Sequence, residues 1–199
     1  MCGPIFGPLG HPLNFLYLEW PKGKMRMKTW IALLRGINVG GKNSVPMKWL
    51  QGEMEAWGYS AVRYYIQSGN LVFDSPKRPE GEIGDLIEKT WGFRPYVLIL
   101  DREELLEAQL HCPYQSDQGK DIHYFFMEDT PTSPRLELLD GVKKDSESYA
   151  LFKRVLYLHA PEGIGTSKLF EKMERAFPST RMTARNLNTV NKLVEMVGG

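Results

Sequence analysis

At 199 residues, 42% hydrophobic and 25% charged, the chain has the composition of a soluble globular protein and can bury a core without disulfides or a structural metal. A formal net charge of +1 excludes a global electrostatic drive toward nucleic acid or membrane. Cys2 and Cys112 have no C-x-x-C partner and no histidine at ligand spacing, which argues against a zinc site and suits a reducing, cytoplasmic setting.

The charge is unevenly spread. Lys22 to Arg63 carries eight basic and two acidic residues, Tyr64 to Glu147 nine basic and 17 acidic, and Lys168 to Lys192 six basic and two acidic. Two basic segments flank an acidic middle. They either form separate solvated faces or meet in space as an anion site.

Residues 1–26 are rich in Pro and Gly, lack periodicity and do not read as a signal peptide; a disordered or non-native extension is expected there. No stretch reaches the ~18 apolar residues of a membrane span. Trp30 to Leu34 (WIALL) is apolar without alternation, as in a strand covered on both faces. After the loop RGINVGGKNSV, Pro46 opens a helix to about Trp57. VRYYIQ and LVFDS around Ser-Gly-Asn read as a hairpin, followed by a helix over about Glu80 to Thr90 and a strand PYVLIL. This is the β-α-β-β-α-β, or ferredoxin-like, order.

The order then repeats. A bridging helix spans Arg102 to Leu110 with Asp101 as its N-cap, and IHYFFM (Ile122 to Met127) is a strand. Next come a short helix over Ser133 to Asp140, a hairpin of SYALF and RVLYLH, a helix over Ser167 to Phe177 capped by Thr166 or Ser167, and a last helix from about Ala184 to Val197. The expected fold is α+β: two interlocked ferredoxin-like subdomains with antiparallel sheets, over 27–100 and 101–199, the second including the linker helix and a C-terminal helix.

Gly36, Gly41 and Lys42 stand at the G-x-x-x-x-G-K spacing of a phosphate-binding loop. Asn43 occupies the position that needs a magnesium-binding hydroxyl, Pro46 delays the helix start, and a hairpin follows where that fold requires a parallel crossover. A nucleoside triphosphatase is therefore not the expectation. Arg35, Asn38, Gly40, Gly41 and Lys42 still make a plausible cradle for a carboxylate or phosphate, against the plainer reading of a soluble loop. Gln67, Ser68 and Asn70 mark the hairpin tip. Gly69 and Asn70 are explained by the turn alone, whereas Gln67 is not. In TARNLNTVNKLVEMV, Leu187, Val190, Val194 and Val197 form an inward helical face; Arg185, Asn188, Thr189 and Lys192, with Asn186 nearby, form a polar face suited to directed hydrogen bonds.

LLRGINVGGKN, YIQSGNLVF, PEGIGTSKL and TARNLNTV together resemble a bacterial family known as domain of unknown function 1697, over about Met27 to Val197. The resemblance implies a soluble α+β protein of ferredoxin-like character and no particular activity. The family's pattern has Trp where this chain has Leu187.

Three readings of function follow. In the leading one, the glycine loop, the hairpin tip and the TARNLNT segment surround a small anionic ligand, phosphate- or carboxylate-bearing and nucleotide-like molecules included. Arg35, Lys42 and Arg185 hold the charge, and Asn38, Gln67, Ser68, Asn70 and Asn188 orient the rest. The first alternative is an RNA-binding module stacking bases on Tyr64, Tyr65 and Phe73. The second is a structural or interaction protein whose polar motifs join the two subdomains. No general base stands out in the four motif segments, and neither a reaction nor a cofactor is named.

Overall fold

The computed structural model describes residues 26–198, so the expectation of an extension over 1–26 falls, but for Arg26, outside the described residues. Among the described residues no helix is long and apolar enough to cross a membrane. The described residues form a mixed α/β protein with two four-stranded antiparallel sheets and six α-helices.

The first sheet has β1 (Lys28–Arg35), β2 (Ser60–Tyr65), β3 (Asn70–Ser75) and β4 (Tyr96–Asp101), in the spatial order β2-β3-β1-β4. Helix α1 (Met47–Ala56) joins β1 to β2, and α2 (Glu82–Trp91) joins β3 to β4. Central strand β1 is apolar on both faces for a visible reason. Trp30, Ala32 and Leu34 pack under α1 and α2, while Ile31 and Leu33 point the other way into a second core.

Helix α3 (Arg102–Leu110) follows directly. Asp101 caps it, accepting from the Glu104 amide while the Glu104 carboxylate accepts from the Asp101 amide. Such a reciprocal cap stabilises a helix start by about 1 kcal/mol.

The second sheet has β5 (Ile122–Met127), β6 (Ser148–Phe152), β7 (Val155–His159) and β8 (Met182–Asn186), in the order β6-β7-β5-β8. Helix α4 (Glu137–Asp140) precedes β6, α5 (Lys168–Ala176) precedes β8, and α6 (Leu187–Met196) closes the chain. Ile122, Tyr124 and Phe126 join Ile31, Leu33, Val72 and residues of α3 and α6 in one shared core. Phe125 and Met127 face the opposite way, into the core under α4 and α5. Helix α6 also packs against β2 and β3, so the last element of the second half covers the first sheet.

Two local expectations are corrected. The segment expected to start the last helix at Ala184 is strand β8, and α6 begins at Leu187. Arg185 therefore does not share a helical face with Asn188, Thr189 and Lys192; pairing with β5 overrides the local helical pattern. Ser167 occupies the N-cap position of α5, but its side chain makes no capping bond and its buried Oγ has no partner among the described residues.

Candidate functional site

Between the two halves lies a cleft of about 620 Å³. Its floor follows from β8 register. His123 pairs with Asn186, Phe125 with Ala184 and Met127 with Met182, so these side chains share one sheet face, the one turned toward α5. One wall is α5, with Phe170, Glu171, Met173 and Glu174. The other is the end of β1 and the hairpin tip, with Arg35, Gly36, Ile37, Val39, Ile66 and Ser68.

Of the residues named from sequence, Arg35, Ser68, Arg185, Asn186 and Thr189 line this cleft. Arg35 is at its lip: Nη1 donates to the Met182 carbonyl at 3.1 Å, and Nη2 pairs with the Glu174 carboxylate. Both partners of that ion pair are about half exposed or more, so it is worth at most about 1 kcal/mol and exchanges readily. Asn186 is the side-chain cap of α6, accepting from the Thr189 amide at 3.0 Å.

Arg185 is 9% exposed and has no carboxylate partner among the described residues. Nε donates to Asn70 Oδ1; Nη1 donates to Thr183 Oγ1 and the Ala184 carbonyl; Nη2 donates to the carbonyls of Leu34, Ser68 and Gly69. All its donor groups are engaged, and most of the acceptors belong to the first half of the chain. Burial lowers its pKa to about 10, so it stays charged at neutral pH.

Asn38 and Asn70 stand behind the wall as supports. The Asn38 amide donates to the carbonyls of Val45 (2.8 Å) and Gln67 (2.7 Å), tying the glycine loop to the hairpin tip. Fully buried Asn70 donates to the Tyr65 carbonyl and Ser68 Oγ besides accepting from Arg185.

Gly40, Gly41, Lys42, Gln67 and Asn188 do not line the cleft. Gly40 and Gly41 have φ of 60° and 72°, and the Lys42 amide closes back on the Val39 carbonyl at 3.2 Å. Positive φ at both central residues is the requirement of a type I′ turn, which accounts for the glycine pair by geometry. The loop amides of Asn38 and Lys42 thus bond within the loop instead of facing outward, and α1 starts only at Met47. Asn188 lies against Gly119, where an added Cβ would come within 2.0 Å of its Oδ1.

Sequence reasoning passed over several cleft residues. Val39, Ile66 and Phe170 are 65%, 48% and 50% exposed and open into the same cleft. Nothing in sequence marks an apolar residue as exposed. His123 did leave a signal, as the one strongly polar residue within IHYFFM. The residue is 8% exposed and lines the cleft, and Nδ1 is sealed from solvent without a partner among the described residues. Burial pushes its pKa down to about 4, with Asp121 opposing, so the imidazole is neutral at neutral pH. Among the described residues no cluster of three or more His, Cys, Asp or Glu is placed to hold a metal.

The sequence matches the family described as Protein of unknown function (DUF1697) over residues 27–157. The chain belongs to this family. The matched part of this DUF1697 protein holds the glycine loop, the hairpin tip and His123, while α5, β8 and α6 lie beyond it. No curated protein matches. Among solved structures the fold is similar to that of the conserved bacterial protein SP0830 from Streptococcus pneumoniae, at 22% identity and a TM-score of 0.64, covering 86% of this chain and 99% of that one.

Proposed function

We propose that the cleft binds a small, elongated organic anion: a carboxylate or phosphate near Arg35, attached to an apolar or planar body. The observation that carries this reading is the gathering of Val39, Ile66 and Phe170 around one concavity. Leaving three large apolar side chains in water is unfavourable by about 25 cal/mol per Å² of apolar surface, and a ligand seated among them removes that cost. The cleft volume lies within the usual range for small-molecule sites, roughly 300–1,000 Å³. Arg35 is the cation free to exchange partners; Arg185 is not, and Lys42 lies outside the lining.

We also read each half as a ferredoxin-like unit, with the two interlocked through α6 as subdomains 27–100 and 101–199. The repeated element and strand orders support this. Arg185 favours the joining role for part of the polar motifs, because its bonds run from β8 to β1 and the hairpin tip. The RNA reading has less support. Phe73 is sealed in the core, Tyr64 packs against that core, and both sheets are covered on both faces.

The test is calorimetry with 2-naphthoate and adenosine monophosphate, with inorganic phosphate for comparison. We expect at least one of the two aromatic anions to bind with a Kd of about 0.1–1 mM, and inorganic phosphate not to bind, because one exposed arginine without apolar contact is a weak site. Phe170→Ser should weaken binding about tenfold through lost apolar burial. Glu174→Gln should strengthen it two- to fivefold (roughly 0.5–1 kcal/mol) by releasing Arg35. Absence of saturable binding by either aromatic anion, or binding insensitive to both substitutions, would contradict the proposal.

A further inference from the structure

The buried imidazole of His123, whose Nδ1 has no partner among the described residues, is a second feature of the cleft, independent of its apolar rim. A polar atom sealed from water without a hydrogen bond is costly, by about 1–3 kcal/mol, and such atoms are rare in folded proteins. His123 sits on the cleft floor and its Nδ1 lacks a partner. With Nδ1 closed off, a ligand in the cleft meets the ring at its other nitrogen, Nε2, or at Nδ1 once the ring turns over.

Position says which end of the ligand it meets. Arg35 binds the Met182 carbonyl at one end of β8, and His123 pairs with Asn186 at the other. Four residue steps along β8 separate those two positions, roughly 13 Å. Charge says what that end carries. Burial keeps the ring uncharged at neutral pH, so it offers no balance for an anion. A hydroxyl fits either tautomer, since it donates to the bare nitrogen or accepts from the protonated one.

We infer that His123 is the specificity residue for the far end of the ligand: the cleft takes a hydroxyl-bearing organic anion, with the hydroxyl on His123 and the anionic group at Arg35. This rests on the cleft being a ligand site and adds the chemical class of the ligand. The two ends call for a rigid, extended body between an acid and a hydroxyl, and Phe125, Phe170 and Ile66 supply its apolar surroundings.

The test compares 2-naphthoate with 6-hydroxy-2-naphthoate, which differ only in a hydroxyl at the end opposite the carboxylate. In the wild type the hydroxyl should tighten binding about tenfold. In His123→Phe that gain should vanish: the two acids should bind with equal affinity, whatever the substitution does to 2-naphthoate itself. A second readout uses the wild type alone: the imidazole ¹⁵N resonances of His123 should shift on adding the hydroxylated acid and hold still with the parent. Equal affinity for the two acids in the wild type, a hydroxyl preference that survives in His123→Phe, or unmoved ¹⁵N resonances would overturn the assignment of His123 while leaving the cleft reading intact. If neither acid binds the wild type, the inference falls with the carboxylate form of that reading. Should His123→Phe not fold, the ¹⁵N measurement decides.

Discussion

Arg185→Ala should destabilise the protein by about 3–5 kcal/mol, lowering the melting temperature by roughly 6–20 °C. The arginine holds Asn70 Oδ1 and the carbonyls of Leu34, Ser68 and Gly69 from across the junction, and most of these acceptors lie in the interior. Truncation leaves them without a donor, at about 1–3 kcal/mol for each that water does not reach. Relief of the arginine's own desolvation offsets part of that. Arg185→Lys keeps the charge but replaces a planar fork by a single ammonium, which cannot reach Asn70, Thr183 and the hairpin carbonyls together, and should cost about half as much. Thermal melts of the three proteins give the comparison. A drop of less than about 1 kcal/mol in Arg185→Ala would mean that the junction is held by its apolar core alone.

Gly69→Ala comes next, at about 2–5 kcal/mol. Gly69 has a φ of +83°, and a Cβ there would sit 2.7 Å from Leu34 Cβ and 3.0 Å from Ile37 Cδ1. The backbone strain is about 1–2 kcal/mol, and the clash against packed side chains adds about 1–3 kcal/mol. Gly40→Ala is the matched control: φ is also positive, but no atom lies within 4 Å, so only the backbone strain applies. Because Gly69 presents its carbonyl to Arg185, Gly69→Ala combined with Arg185→Ala should cost less than the sum of the two. Denaturant unfolding of the single and double variants measures the difference.

How far the sequence carried the fold depended on how local each cause is. Helix α3 is legible to the residue because Asp101 and Glu104 form its cap within four positions. Strand β5 is legible because a run of six, apolar but for His123, is buried on both faces. Strand β8 was not. Met-Thr-Ala-Arg-Asn lacks the aromatic and β-branched enrichment of a strand, and its conformation is set by pairing with β5 and by the sites that receive Arg185. The cleft follows the same division. Arg35, Ser68, Arg185, Asn186 and Thr189 are polar residues in unusual places, which sequence displays. The exposure of Val39, Ile66 and Phe170 is a tertiary fact. The glycine pair looked like a ligand cradle, because spacing alone does not tell whether loop amides point outward or close on one another.

Ligand binding in the cleft requires that one place be the site. Backbone chemical-shift mapping of the wild type during titration with 2-naphthoate tests this directly. The prediction is a single cluster of saturating shifts on Arg35, Val39, Ile66, Phe170 and Ala184, with the faces of α1 and α4 unmoved. Shifts confined to another surface, or scattered without saturation, would contradict it.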